Sequence, residues 1–210
     1  MNLGILIIAI ALLGYISNWL NWRYLNYPIT RFLFYLGALI HESSHIMFCR
    51  LTGATVTESK IFSQKPHIIH SKPKLPIIGQ FLISLAPIMG GLLFLFLINR
   101  YALTNYFNLP QVFTWQDVLA APLNLLSQIN LLRWQSWLMI ILFVNVGAMI
   151  GPSVQDLKNI WPILIIMFFI KWPLLMNIGL FAIVLILVNI LIQVVLMVII
   201  GTIKMIKIST

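Results

Sequence analysis

Apolar runs of eighteen residues or more recur along this chain, and no other feature narrows its fold as far. A helix rises about 1.5 Å per residue, so such a run crosses the ~30 Å hydrocarbon core of a bilayer. In lipid the segment must satisfy its own backbone hydrogen bonds, which the α-helix does. The 210 residues are 61% hydrophobic and 8% charged, against about 45–50% and 25% in soluble domains. An all-α polytopic membrane protein is expected, as a single integral-membrane domain over 1–210.

About six transmembrane helices are expected, at Leu3–Trp22, Ile29–Leu51, Leu75–Asn99, Trp137–Leu157, Ile160–Met176 and Ile178–Ile200. Lys171-Trp172-Pro173 interrupts the fifth, which could instead be one arm of a hairpin with the sixth. The first run lacks a basic leader and a small-residue cleavage site, so it reads as a retained span. A catalytic core over about 29–160 is expected, flanked by helices at 1–22 and 160–203.

Thirteen Lys and Arg against four acids give a net charge of +9. These cations are spread over short loops, which speaks against a nucleic-acid partner and for helix orientation in a lipid bilayer. With six spans, Arg50, Lys60, Lys65, Lys72, Lys74, Lys158, Lys204 and Lys207 fall on one side. Arg23, Arg31, Arg100, Arg133 and Lys171 fall on the other. The positive-inside rule then puts both termini and the 52–74 loop in the cytoplasm, most simply at the plasma membrane. Thr114 and Asp117 look like the cap and first turn of an interfacial helix on the outer side. The single cysteine, Cys49, rules out an internal disulfide.

The four acids are Glu42, Glu58, Asp117 and Asp156. A charge near the bilayer centre costs about 2.5–3.5 kcal/mol on insertion scales, so an acid within a span points to an internal site. Glu42 lies in GALIHESSHIMFCRL, where His41-Glu42-Ser43-Ser44-His45 is an HExxH sequence. Residues four apart share a helix face, so His41 and His45 can reach one metal ion. Glu42, one helical step off that face, can take a proton from water acidified by Zn²⁺ and so act as the catalytic base. The plainer alternative is a hydrogen-bonded polar cluster between helices.

A catalytic zinc site takes three protein ligands, so a third is required. Glu58 sits in a basic loop as a solvated charge, and Asp117 is expected on the outer side. Asp156 remains, in NVGAMIGPSVQDLKN, where Gly151-Pro152 can interrupt the fourth span. The second and fourth spans both run inward, bringing Asp156 to the depth of His45. Its alternative is a helix cap or a partner for Lys158.

HESSH in an early span, SLAPIMGG (Ser84–Gly91) in the next and an aspartate near the end of a later span together resemble the site-2 protease family of intramembrane zinc metalloproteases. The resemblance covers roughly residues 29 to 160. It implies Zn²⁺ held by His41, His45 and Asp156, Glu42 as general base, and a transmembrane or membrane-proximal protein substrate cut near the cytoplasmic side. The family's aspartate commonly follows an Asn-Leu-x-Pro element, whereas here Asn145 stands eleven residues before Asp156. Asn145 is thus either a substrate contact or a polar link between helices.

Ala54–Phe62 follows Gly53 with an alternating pattern, so a short extended segment is expected there. Val56 and Thr57 are its candidate substrate-binding positions, since an edge strand can pair with an unwound peptide. His67 and His70 read as interfacial histidines, and Ser43-Ser44, Gly90-Gly91, Asn189 and Gln193 as helix-packing residues. The rival to an enzyme is a non-proteolytic scaffold or a metal-handling transporter with the same HExxH site. A transporter spreads ionisable groups along a midplane path, often in repeated halves, and neither feature is visible here.

Overall fold

A computed structural model describes residues 2–24, 28–61, 63, 66–108, 114–169 and 171–209. Helices α1 (Leu3–Tyr24) and α2 (Pro28–Thr52) lead into a hairpin of β1 (Val56–Lys60) and β2 (His67–His70). Next come α3 (Pro76–Leu97), which continues into a π-helical turn over Ile98–Ala102, then α4 (Trp115–Ser127) and α5 (Trp134–Met149). Helices α6 (Val154–Met167) and α7 (Pro173–Ser209) complete the chain.

The ends of these elements have local causes. Gly53, at φ +75°, closes α2 with a Schellman motif: Ala54 N–H donates to the Cys49 carbonyl at 2.8 Å and Gly53 N–H to that of Arg50 at 3.2 Å. Pro76 and Pro173 open α3 and α7 at positions where a missing N–H costs nothing. Thr114 and Asp117 form the reciprocal capping box of α4, as their spacing implies.

Among the described residues, three helical stretches are long and apolar enough to cross a membrane: Leu3–Leu20, Pro76–Ala102 and Pro173–Thr202. The protein is a mostly helical membrane protein. The expected fourth and fifth spans, however, are divided differently. Helix α5 stops at Met149, and α6 restarts at Val154 after a break containing Gly151-Pro152. The expected crossing at 160–176 is instead the end of α6, a connection and the start of α7. With fourteen residues, α6 is only about 21 Å long and too short to span alone.

Contacts along α1 show what α5 and α6 do together. Ser17 bonds to Asn189, whose side chain abuts Gly147 of α5. Gly14 meets Gly151 backbone to backbone, Ile7 shares an apolar cluster with Ile160, Ile163 and Leu164, and Gly4 meets Phe168. Helices α5 and α6 therefore descend α1 as two halves of one broken path. Helix α7 runs parallel to α1, since Leu6 packs on Gly179 and Ser17 bonds to Asn189 and Gln193. The start of α1 and the end of α7 thus lie at opposite ends of the bundle. The expectation that both termini lie on one side finds no support in this arrangement.

Helix α7 packs against α1, α4 and α5, with Leu180, Ala182, Val184, Ile186 and Val188 all fully buried. Asn189 and Gln193 join α7 to α1 through Ser17, which bears out their reading as polar links. Small residues bring α2 close to its neighbours: Gly90 of α3 sits on Ser44, and Gly37 of α2 on the Asn145 carbonyl of α5.

The expected extended segment is present as β1, within Ala54–Phe62; Phe62 itself lies outside the described residues. Its antiparallel partner β2 was not anticipated. Val56 pairs with His70, and an irregularity at Thr57 shifts the register before Glu58 meets Ile69.

Candidate metal centre

His41 and His45 lie one turn apart on α2, and each ring is held by a backbone carbonyl from another helix. His41 Nδ1 donates to the Met149 carbonyl at 2.6 Å, and His45 Nδ1 to the Ile83 carbonyl at 2.9 Å. Both carbonyls lack the usual helical partner. In α3, the residue four after Ile83 is Pro87, which has no N–H to give. Met149 ends α5, and the N–H four residues on, that of Ser153, turns instead to Asp156 Oδ2 at 2.8 Å. Occupying Nδ1 in this way leaves Nε2 of each neutral ring as a lone-pair donor.

Asp156 is in the first turn of α6, beyond the break and not at the end of a continuous fourth span. Its Oδ2 accepts from Ser153 N–H, and its own N–H donates to Ser153 Oγ at 3.1 Å. Ser153 is thus the N-cap and Asp156 the third residue of the capping box, a neighbouring role to the N-cap foreseen as its alternative. The cap uses only one carboxylate oxygen. The other, Oδ1, lies 3.7 Å from His45 Nε2.

The two Nε2 atoms are 3.3 Å apart, and ligand atoms of His41, His45 and Asp156 all lie within 4.8 Å of one another. Tetrahedral zinc with bonds of about 2.0–2.2 Å to nitrogen and oxygen has ligand–ligand edges of roughly 3.3–3.6 Å. Two of the separations, 3.3 Å between the imidazoles and 3.7 Å from His45 to Asp156, are close to that size. Two imidazole lone pairs and a carboxylate oxygen aimed at one point also repel one another unless a cation lies between them. His45 and Asp156 are buried and His41 is half-buried, so water screens that repulsion weakly. Among the described residues this is the one cluster of three His, Cys, Asp or Glu side chains that could hold a metal ion.

Glu42 is buried at 6% exposure, outside the ligand cluster but within electrostatic range of His41 and Asp156. Strand β2 packs against α2, the helix that carries both histidines.

The remaining candidates sit apart from the ligands. Val56 is half-buried against the Phe48, Cys49, Ile83 and Ala86 cluster. Thr57 is exposed, and its hydroxyl donates to the Ile69 carbonyl across the hairpin at 3.1 Å. Asn145 is buried one turn before Met149, with Nδ2 donating to Ile141 of its own helix at 2.8 Å. Its backbone carbonyl meets Gly37 of α2. Glu58 pairs with Lys60 at 2.6 Å and approaches His67 at 3.7 Å. The hydrogen bond and charge of Lys60, helped by His67, hold its carboxyl below the usual carboxylate range.

Two contributors carried signals that sequence reasoning left unused. Pro87 stands within SLAPIMGG, and a proline inside a helix always frees the carbonyl four residues earlier. Met149 had only its place before the break to mark it. No protein-family model, curated protein or solved structure matches the chain.

Proposed function

We propose that the protein is an intramembrane zinc metalloprotease, similar in its HESSH and aspartate set to the site-2 proteases. One observation carries the reading: three ligand-type atoms from α2 and α6 converge at zinc-sized spacing beside a buried glutamate that is not one of them. Two imidazoles and a carboxylate suit zinc among the common divalent ions. A bound zinc ion would supply Lewis acidity, acidifying water at the site and polarising a peptide carbonyl. Glu42 takes the proton from the attacking water and returns it to the leaving amine. The Ile83 and Met149 carbonyls keep both imidazoles in the metal-facing tautomer, and the Ser153 cap fixes the carboxylate.

The substrate is a transmembrane or membrane-proximal polypeptide, unwound at the cleaved bond because a helix hides its carbonyls from attack. The cluster of Lys60, Lys65, Lys72 and Lys74 favours the cytoplasm for the hairpin end of the bundle, in the plasma membrane. The test is zinc content and hydrolysis of a panel of membrane-spanning peptides. His41→Ala, His45→Ala and Asp156→Ala should each lose both, whereas Glu42→Gln should keep zinc and lose hydrolysis. A Glu42→Gln variant that cleaves at the wild-type rate ends the protease reading.

A further inference from the structure

An open groove of about 530 Å³ lies between the hairpin, the start of α3 and the first turns of α6. The second hairpin strand forms one wall through Ile69 and His70, with Lys72 following it. The start of α3 supplies Gln80, and α6 supplies Gln155 and Asn159. Gln155 precedes Asp156, and Asn159 lies one turn beyond, so this wall is the same helical turn that carries the third ligand. The groove therefore adjoins the turn of α6 that carries Asp156.

Its lining has a definite chemistry. Three carboxamides give both donors and acceptors, which a peptide stripped of its helical hydrogen bonds needs at membrane depth. Apolar surface from Ile69 and the flanking prolines lies among them. Lys72 is exposed and, among the described lining residues, carries the one permanent charge, with no carboxylate among them. With His70 beside it, the groove is suited to an anionic side chain. The volume is within the roughly 300–1,000 Å³ of ligand-binding clefts, enough for a few residues of extended chain.

We infer that this groove is a substrate subsite that holds an extended segment flanking the cleaved bond and selects an Asp or Glu side chain through Lys72. The inference rests on the protease reading for what the segment belongs to. Gln80, Gln155 and Asn159 hold the peptide main chain, and Lys72 sets the preference at one position. The charge pair forms at an exposed site, so selectivity of roughly fivefold is the scale to expect.

The test uses the full-length, zinc-loaded Glu42→Gln protein in nanodiscs and three labelled peptides that differ only in flanking Glu, Gln or Lys residues. The Glu peptide should bind roughly fivefold more tightly than the Gln peptide. Lys72→Glu should reverse the order in favour of the Lys peptide. Lys74→Glu, which changes an exposed cation two residues away but outside the lining, should leave it intact. A photo-crosslinking residue at position 159 should capture the bound peptide. Absence of binding, or an acidic preference that survives Lys72→Glu, overturns the subsite. If the preference follows Lys72 and wild-type protein cleaves none of the peptides, the subsite stands and the protease reading falls. Equal cleavage of all three without capture at position 159 has the opposite meaning.

Discussion

A histidine offers a metal one nitrogen reliably only when its other nitrogen is engaged, and here both partners are carbonyls that helices had to release. For His45 the releasing residue is Pro87. Restoring an N–H there gives the Ile83 carbonyl a competing donor within α3. Pro87→Ala should therefore weaken zinc binding by about 10- to 100-fold, the usual cost of losing a supporting hydrogen bond of this kind. Thermal stability should not fall, because proline inside a helix is itself unfavourable. Competition against a chelator, read beside a melting curve, separates the two effects. Loss of folding with unchanged affinity would sink the assignment of Pro87.

Among the elements, the break between α5 and α6 matters most, since it frees Met149 for His41 and starts the turn that carries Asp156. Gly14 and Gly151 permit it: a Cβ on Gly14 would lie 2.8 Å from the Gly151 Cα, where neither backbone can yield cheaply. Gly14→Val should destabilise the protein by about 1–3 kcal/mol through overpacking and lower its zinc affinity by displacing α6. Thermal unfolding in detergent with parallel metal analysis checks both. A valine tolerated without change would show that the two helices are not held this close.

The hairpin offers a pH test. Glu58 has a depressed pKa, so its pairing with Lys60 contributes fully above the ordinary carboxylate range and is lost as pH falls through the lowered value. Amide protection in β1, measured relative to the intrinsic exchange rate, should fall over that acidic window in wild-type protein and show no such step in Glu58→Gln. Added salt should shrink the difference, because the pair is exposed. Matching pH profiles in the two proteins would remove Glu58 from the hairpin's stability.

For the whole molecule, the parallel course of α1 and α7 makes a topological prediction. A tag at residue 66 should report cytoplasmic and a tag at the C-terminus the opposite face. Both tags on one face would restore the six-crossing count and contradict the packing of Leu6 on Gly179. The charge count alone cannot choose, since it depends on whether residues 134–167 cross once or twice.

That dependence marks where local pattern stops being enough. Membrane residence, the helix ends at Gly53 and Thr114, the extended segment after α2 and the pairing of His41 with His45 were legible because each rests on composition or on spacings within a few residues. HESSH is readable for the same reason: helical periodicity alone puts two rings on one face. The convergence of Asp156 on them, 111 positions after His45, depends on how α5 breaks and where α6 lies against α1. The carbonyls that orient the histidines belong to helices distant in sequence, and β2 joins β1 only through a turn whose pattern is weak. Runs of apolar residues look alike whether they cross a membrane whole or in two halves. Only the contacts between helices, made by glycines and a few buried polar side chains, decided which of these this chain adopts.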